Sequence, residues 1–250
     1  MLLLDTNGCL TMIKEGYEGL NNSVYLEGGF RIQIESSTRC NCLCPGCSRT
    51  KTKAKYDAGK SELMYPIMDM SLDNFKLLVR PENNIKRITY SLTLGDPIYS
   101  GSFLEQVHYL NTLDKRPWIN LHTNGSGRSK DWWSKLGKLL RGRDRVEFTI
   151  DGLEDTNKIY RINSKWNTVI DGFKALKTSI NEIDSDAEVD VRHLIFEHNY
   201  HQTLDVCKLA QELKANTLRI FVGDGRTPEH MRLKSKQWND IKGEIDAYLP

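Results

Sequence analysis

Residues 30–49 read FRIQIESSTRCNCLCPGCSR. The leading FRIQIES alternates apolar and polar side chains, the period-two pattern of a strand. Directly after it stand Cys40, Cys44 and Cys47, spaced C-x3-C-x2-C. Thiolates this close on one loop can wrap three corners of a cubic iron–sulfur cluster, whereas a [4Fe–4S] cube normally takes four cysteines. Three leave one iron without a protein ligand, open to a reactive molecule.

The same thiols admit other uses. Cys42 brings the count in this stretch to four, so Cys40, Cys42, Cys44 and Cys47 could form the tetrahedral zinc site of a non-enzymatic binding module. Such sites usually draw ligand pairs from two segments, and no second pair appears downstream. A disulfide pair would belong to a secreted chain. The opening MLLLDTNG reaches an aspartate after three leucines, too short for the apolar core of a signal peptide. Six cysteines without that signal fit a reducing cytoplasm.

At 250 residues, with 39% hydrophobic and 27% charged side chains, the chain is expected to be soluble and globular with a sizeable core. No apolar run approaches the roughly 20 residues that cross a bilayer, so no membrane partner is expected. A net charge of +2 is too small to indicate nucleic acid. The one local excess, Arg49, Lys51, Lys53, Lys55 and Lys60, reads as a solvated loop.

Beyond the cysteine loop, strand-like and helix-like segments alternate. The strand candidates are Phe30–Glu35, Ile85–Leu94, Trp118–His122, Val146–Ile150, Val189–Phe196 and Thr217–Val222, short and rich in β-branched or aromatic residues. Between them, Leu72, Phe75, Leu78 and Val79 share a helical face, with Ser71 as N-cap and Pro81 as stop. Ser102 and Glu105 read as a capping box. Further stripes follow Ser129, then run from Trp166 to Ile180, through Leu204, Cys207, Ala210 and Leu213, and from Trp238 to Ile245. Six β–α units in a row predict parallel strands with right-handed crossovers. Six are too few for an eight-fold barrel but suit an α/β partial (β/α)6 TIM-like barrel; a flat doubly wound sheet has the same periodicity. Residues 1–29, with Gly16, Gly19, Gly28 and Gly29, read as a lead-in loop or hairpin, and 30–250 as one domain.

In either architecture the carboxyl ends of the strands form the active edge. The second strand ends in Leu94, Gly95, Asp96 and Pro97, the third in His122, Thr123, Asn124 and Gly125. The fourth runs VEFTIDG into LEDTNKIYRIN, carrying Thr149, Asp151, Asn157 and Arg161. The fifth, VRHLIFEHN, alternates Arg192, Leu194 and Phe196 on one face with His193, Ile195 and Glu197 on the other, and His193 reads as a satisfied core histidine.

These motifs, in this order over residues 30–225, resemble the radical S-adenosylmethionine (SAM) superfamily. The branch they look most like includes the molybdenum-cofactor cyclase and peptide- or protein-modifying maturases. The resemblance implies one [4Fe–4S] cluster on Cys40, Cys44 and Cys47, its open iron binding the amino and carboxylate groups of SAM. It implies reductive cleavage of SAM to a 5′-deoxyadenosyl radical that abstracts hydrogen from a peptide or small-metabolite substrate. LGDP stands where the family has GGEP, a contact to the SAM amino group, so Gly95, Asp96 and Pro97 fall at the cofactor. Leu94 and Asp96 depart from that motif, which keeps open a degenerate member that binds SAM without making a radical. Thr123 and Asn124 match the family's TNG; Thr149, Asp151 and Arg161 match its SxDG…YR segment. An electron donor such as flavodoxin or ferredoxin is implied as partner. With no cysteine after Cys207, the auxiliary-cluster domain of many relatives is not expected.

Overall fold

The computed structural model describes residues 2–4, 10–12, 29–60, 62, 66–91, 93–223 and 225–248. Two short strands come first, β1 (Leu2–Leu4) and β2 (Leu10–Met12). Then follow β3 (Phe30–Ile34), helix α1 (Ser48–Asp57), α2 (Leu72–Leu78), β4 (Ile85–Tyr90) and α3 (Phe103–Leu110). The chain continues through β5 (Trp118–Thr123), α4 (Lys130–Gly137), β6 (Arg145–Thr149), α5 (Glu154–Tyr160) and α6 (Trp166–Glu182). It closes with β7 (Glu188–Ile195), α7 (Thr203–Glu212), β8 (Leu218–Val222) and α8 (Ser235–Tyr248).

The sheet order is β2-β1-β8-β7-β6-β5-β4-β3, and β3 through β8 pair in parallel. Each of these six strands lies beside its predecessor in sequence. A doubly wound sheet reverses its order at a switch point, and this one does not. Uniform right-handed crossovers in unbroken order put the helices on one face, and the twisted sheet curls the other way. The result is an α/β partial (β/α)6 barrel. β1 pairs antiparallel with both β2 and β8 and so extends the far edge. Gly16, Gly19 and Gly28 of the expected lead-in lie outside the described residues.

The two faces of the sheet differ sharply. Ile88, Ile119, Leu121, Val146, Phe148, Val189, Val191 and Ile220 are buried against the helices. Tyr90, Phe103, Trp132, Trp133, Phe148 and Phe173 touch in series there, with ring centroids 4.8–5.9 Å apart. Each such side chain contributes about 1.5–3 kcal/mol by leaving water. The alternate positions carry Arg87, His122, Arg145, Glu147, Asp190, Arg192 and Arg219 into the lumen.

Local signals were met unevenly. Ser71 Oγ accepts from Asn74 N at 3.2 Å and Ser129 Oγ from Trp132 N at 3.3 Å, as N-caps should. Ser102 forms no capping box. Its hydroxyl donates instead to Met70 O at 2.7 Å, a carbonyl in the segment just before α2. The basic run at 49–60 is mostly helix α1 rather than loop, with no buried residue along it. The 154–160 segment, read only as motif, is helix α5.

Candidate functional site

β3 delivers the chain into the cysteine loop, and two downstream segments clamp that loop. From the turn after β5, Asn124 Nδ2 lies 3.4 Å from Cys40 Sγ and donates to Asn41 Oδ1 at 3.2 Å. Asn41 Nδ2 in turn donates to Ser126 Oγ at 2.6 Å. From the end of α5, Ile162 O accepts from Leu43 N at 3.0 Å. Cys47 is the N-cap of α1, its own N–H bonded to Cys44 O at 3.0 Å. The loop is therefore held on both flanks, although it is irregular.

Cys40, Cys42, Cys44 and Cys47 line one cavity of about 570 Å³ at the carboxyl ends of the parallel strands. Gly95, Asn124, Thr149 and Arg161 line it too. Behind the cysteines stands an apolar wall of Tyr160, Phe196 and Met231, the two rings stacked at 4.2 Å. Among the described residues no group of three or more His, Cys, Asp or Glu side chains converges on a single metal ion.

The sulfurs are unlike one another. Cys42 is buried, and hydrogen bonds to Cys40 and Cys44, together with that burial, push its pKa up. Cys44 is brought down to about 6 by the bond from Cys42, against burial and with help from Arg161. Arg161 Nη1 lies 3.7 Å from Cys44 Sγ. Burial opposes the Arg161 charge, but Asp151 and Cys44 outweigh it and raise its pKa.

The remaining motif residues stand behind the lining. Asp151 is fully buried: Oδ2 accepts from Arg161 Nε at 2.6 Å and Oδ1 from Leu194 N at 2.8 Å. Its own N–H donates to Asn157 Oδ1 at 2.8 Å. Asp96 is also fully buried, accepting from Asn124 N at 2.7 Å, Thr123 Oγ1 at 3.1 Å and Ile98 N at 3.2 Å. Burial pushes its pKa up to about 6, partly offset by those donors. Thr123 and Pro97 are likewise enclosed. So Asp96 ties the LGDP loop to the TNG turn, and Asp151 orients Arg161. Gly95 has a packing reason of its own: a Cβ there would lie 2.1 Å from Ser37 O. Glu35, at the end of β3, holds the same loop through Ser91 Oγ, Thr93 N at 3.2 Å and Leu94 N at 3.1 Å.

Several residues of the cavity escape motif reading. Arg192, Leu194 and Phe221 line it, beside Tyr160 of the YR pair. The period-two alternation in RVEFT, EVDVRHLI and LRIFV marks the charged lumen; read as short apolar runs, these strands conceal it. His193, by contrast, faces the helices and its Nδ1 meets Ile150 O at 3.0 Å, a satisfied core histidine as expected.

No family model matches the chain, and comparison with curated proteins finds no match. Solved structures do resemble it. Native anSMEcpe with bound AdoMet and a Cp18Cys peptide aligns over 87% of this chain and 58% of its own, at 15% identity and TM-score 0.62. SuiB of Streptococcus suis bound to S-adenosylmethionine aligns over 92% of this chain and 50% of its own, at 12% identity and TM-score 0.60. Coproporphyrinogen III oxidase (HemN) of Escherichia coli, a radical SAM enzyme, aligns over 94% and 56%, at 13% identity and TM-score 0.57. The chain thus spans between half and three fifths of these proteins' lengths. At such identities the likeness establishes the fold. No helix among the described residues is long and apolar enough to cross a membrane.

Proposed function

We propose that the chain is a radical SAM enzyme, in which Cys40, Cys44 and Cys47 hold one [4Fe–4S] cluster and SAM occupies the adjoining cavity. One observation carries this reading. The three cysteines of the C-x3-C-x2-C motif line a single cavity at the strand ends of a parallel partial barrel, beside Asn124, Thr149 and Arg161. Cysteine thiolates are the donors such clusters take. When bound, a reduced cluster and SAM would supply the chemistry of a 5′-deoxyadenosyl radical, able to abstract hydrogen from an unactivated carbon.

The chain's own residues bind and orient. Arg161, fixed by Asp151, offers its guanidinium both to Cys44 and to a carboxylate in the cavity. Thr149 adds a hydroxyl from β6, and Gly95 opens backbone toward the same space. Asn124 holds the Cys40 end of the loop. Asp96 and Thr123 set the turn that carries Asn124. Tyr160, Phe196 and Met231 shield the sulfurs from water. Cys42 serves as a hydrogen-bond donor rather than a ligand. Residues 30–250 would form the catalytic barrel, with residues 1–29 as lead-in. The substrate would be a peptide or small metabolite, the electron donor a flavodoxin or ferredoxin, and the compartment a reducing cytoplasm.

The test is anaerobic purification with reconstitution, then dithionite and SAM. The expected result is close to four irons and four sulfides per chain, with 5′-deoxyadenosine formed. Zinc in place of iron and sulfide would establish the four-thiol binding module. An intact cluster that bound SAM but released no 5′-deoxyadenosine would establish the degenerate member.

A further inference from the structure

We propose that Arg192 is the recognition residue for an oxyanion, a carboxylate or phosphate, on the substrate; this deepens the enzymatic reading and rests on it. Arg192 lies on β7, four strands from the β3 that leads into the cysteine loop. It lines the same cavity, so a molecule in that cavity can meet both the cysteine end and Arg192.

Its neighbours commit little of its hydrogen-bonding capacity. The one carboxylate that Arg192 meets among the described residues is Glu147, through Nη1 at 3.5 Å. Glu147 is already engaged more closely by Arg219 at 2.7 Å. Arg219 also bonds Asp190 at 2.8 Å and is 13% exposed, whereas the Arg192 side chain is 32% exposed. Of these two arginines, Arg219 builds the lumen and Arg192 faces the open volume.

The Arg192 guanidinium carbon lies 4.2 Å from the centroid of the Phe221 ring, which also lines the cavity. A guanidinium laid over an aromatic ring has that face dried and its plane fixed, while its edge donors stay directed outward. This is the presentation that binds an oxyanion through two parallel N–H bonds. Thr149, the registered neighbour of Arg192 on β6, and Gln33 with Thr89 on β3 and β4 line the same volume with neutral polar groups.

The local charge agrees. Among the described residues, Arg87, Arg145, Lys177, Arg192 and Arg219 stand around Glu147, Glu188 and Asp190, five positive groups against three negative. Burial first, then the nearby arginines, hold the His122 pKa below its usual value despite Glu147, so the histidine adds no charge at neutral pH. An incoming anion restores the balance; an incoming cation worsens it.

The experiment is isothermal titration of the anaerobic, cluster-loaded protein with inorganic phosphate and, separately, acetate, against chloride at matched ionic strength. Wild type, Arg192→Gln, Arg192→Lys and a surface control, Lys53→Gln with Lys55→Gln on α1, are compared. Saturable binding of at least one anion is expected, with the stronger one identifying the source. Loss of a charge-assisted pair should weaken it about tenfold or more in Arg192→Gln, less in Arg192→Lys, and not in the surface control. Binding to neither anion, equal affinity in Arg192→Gln, or loss confined to the surface control would overturn the proposal. Thermal melting verifies that each variant is folded. Iron and sulfide content, read on the same samples, reports on the cysteine site, so failure of the enzymatic reading is distinguishable from failure of the anion site.

Discussion

Arg161 donates through Nε to Asp151 Oδ2 at 2.6 Å, inside a shell where the Asp151 side chain is fully buried and that of Arg161 is 12% exposed. The pair joins the end of α5 to the turn after β6 and leaves Nη1 near Cys44. Removing one partner strands the other charge in a poorly hydrated place. Asp151→Ala should therefore destabilise the protein by about 3–5 kcal/mol. Urea unfolding checks this, and a midpoint equal to that of wild type would mean that the pair is dispensable.

Cys42 and Cys44 are two residues apart yet should behave differently. Cys44→Ala is expected to abolish the iron–sulfur absorbance, and Cys40→Ala and Cys47→Ala likewise, whereas Cys42→Ala should retain it. Iron and acid-labile sulfide analysis after identical reconstitution decides. Equal loss in Cys42→Ala would make Cys42 a ligand.

The buried Asp96 predicts a pH effect with a definite sign. Its folded pKa of about 6 lies above the ordinary 3.8. Between these values the folded state binds more protons than the unfolded one, so the contribution of Asp96 to stability declines as pH rises through that window and is constant above it. At about 1.4 kcal/mol per unit, the decline is on the order of 2–3 kcal/mol. Asp96→Asn should flatten this part of the profile when urea midpoints are compared from pH 4 to 7. Parallel profiles for the two proteins would contradict it.

Gly95→Ala tests the close approach of two loops. The added methyl would meet backbone at Ser37, which cannot rotate away as a side chain can. Overpacking of this kind costs about 1–3 kcal/mol or more. The variant should unfold earlier in urea and bind SAM more weakly, because the loop it displaces lines the cavity. Wild-type values for both would show that the backbone yields freely.

Thr149→Val keeps the shape of the side chain and removes its hydroxyl. If that hydroxyl contacts SAM, affinity should fall by about 0.5–1.5 kcal/mol, with the cluster spectrum unchanged. Equilibrium dialysis with labelled SAM measures it, and unchanged affinity would remove Thr149 from the contact.

Much of this was legible in the chain itself. The alternating units, the caps at Ser71 and Ser129 and the cysteine spacing are local patterns, and local patterns are set by dihedral preference and side-chain period. Strand limits read from residues such as Trp118 and Val222 fall within a residue of those observed. The strand expected to run to Leu94 stops at Tyr90, because the amides of Thr93 and Leu94 turn to the Glu35 carboxylate. Ser102 misleads because its hydroxyl has a tertiary competitor, Met70 O, that no local rule contains.

What only the tertiary structure decided is non-local. Periodicity cannot distinguish a curled sheet from a flat one; that depended on the unbroken strand order. Nor can it say which polar side chains are consumed by the fold. Asp96 and Asp151 stand in motifs beside Gly95 and Arg161, yet pairing turns both carboxylates inward to protein donors. Arg192 carries no motif, but strand register and the Phe221 ring expose it to the cavity. Composition and spacing determined which chemistry the chain can hold. Long-range pairing, where each buried polar group must find a partner, determined which residues remain open to perform it.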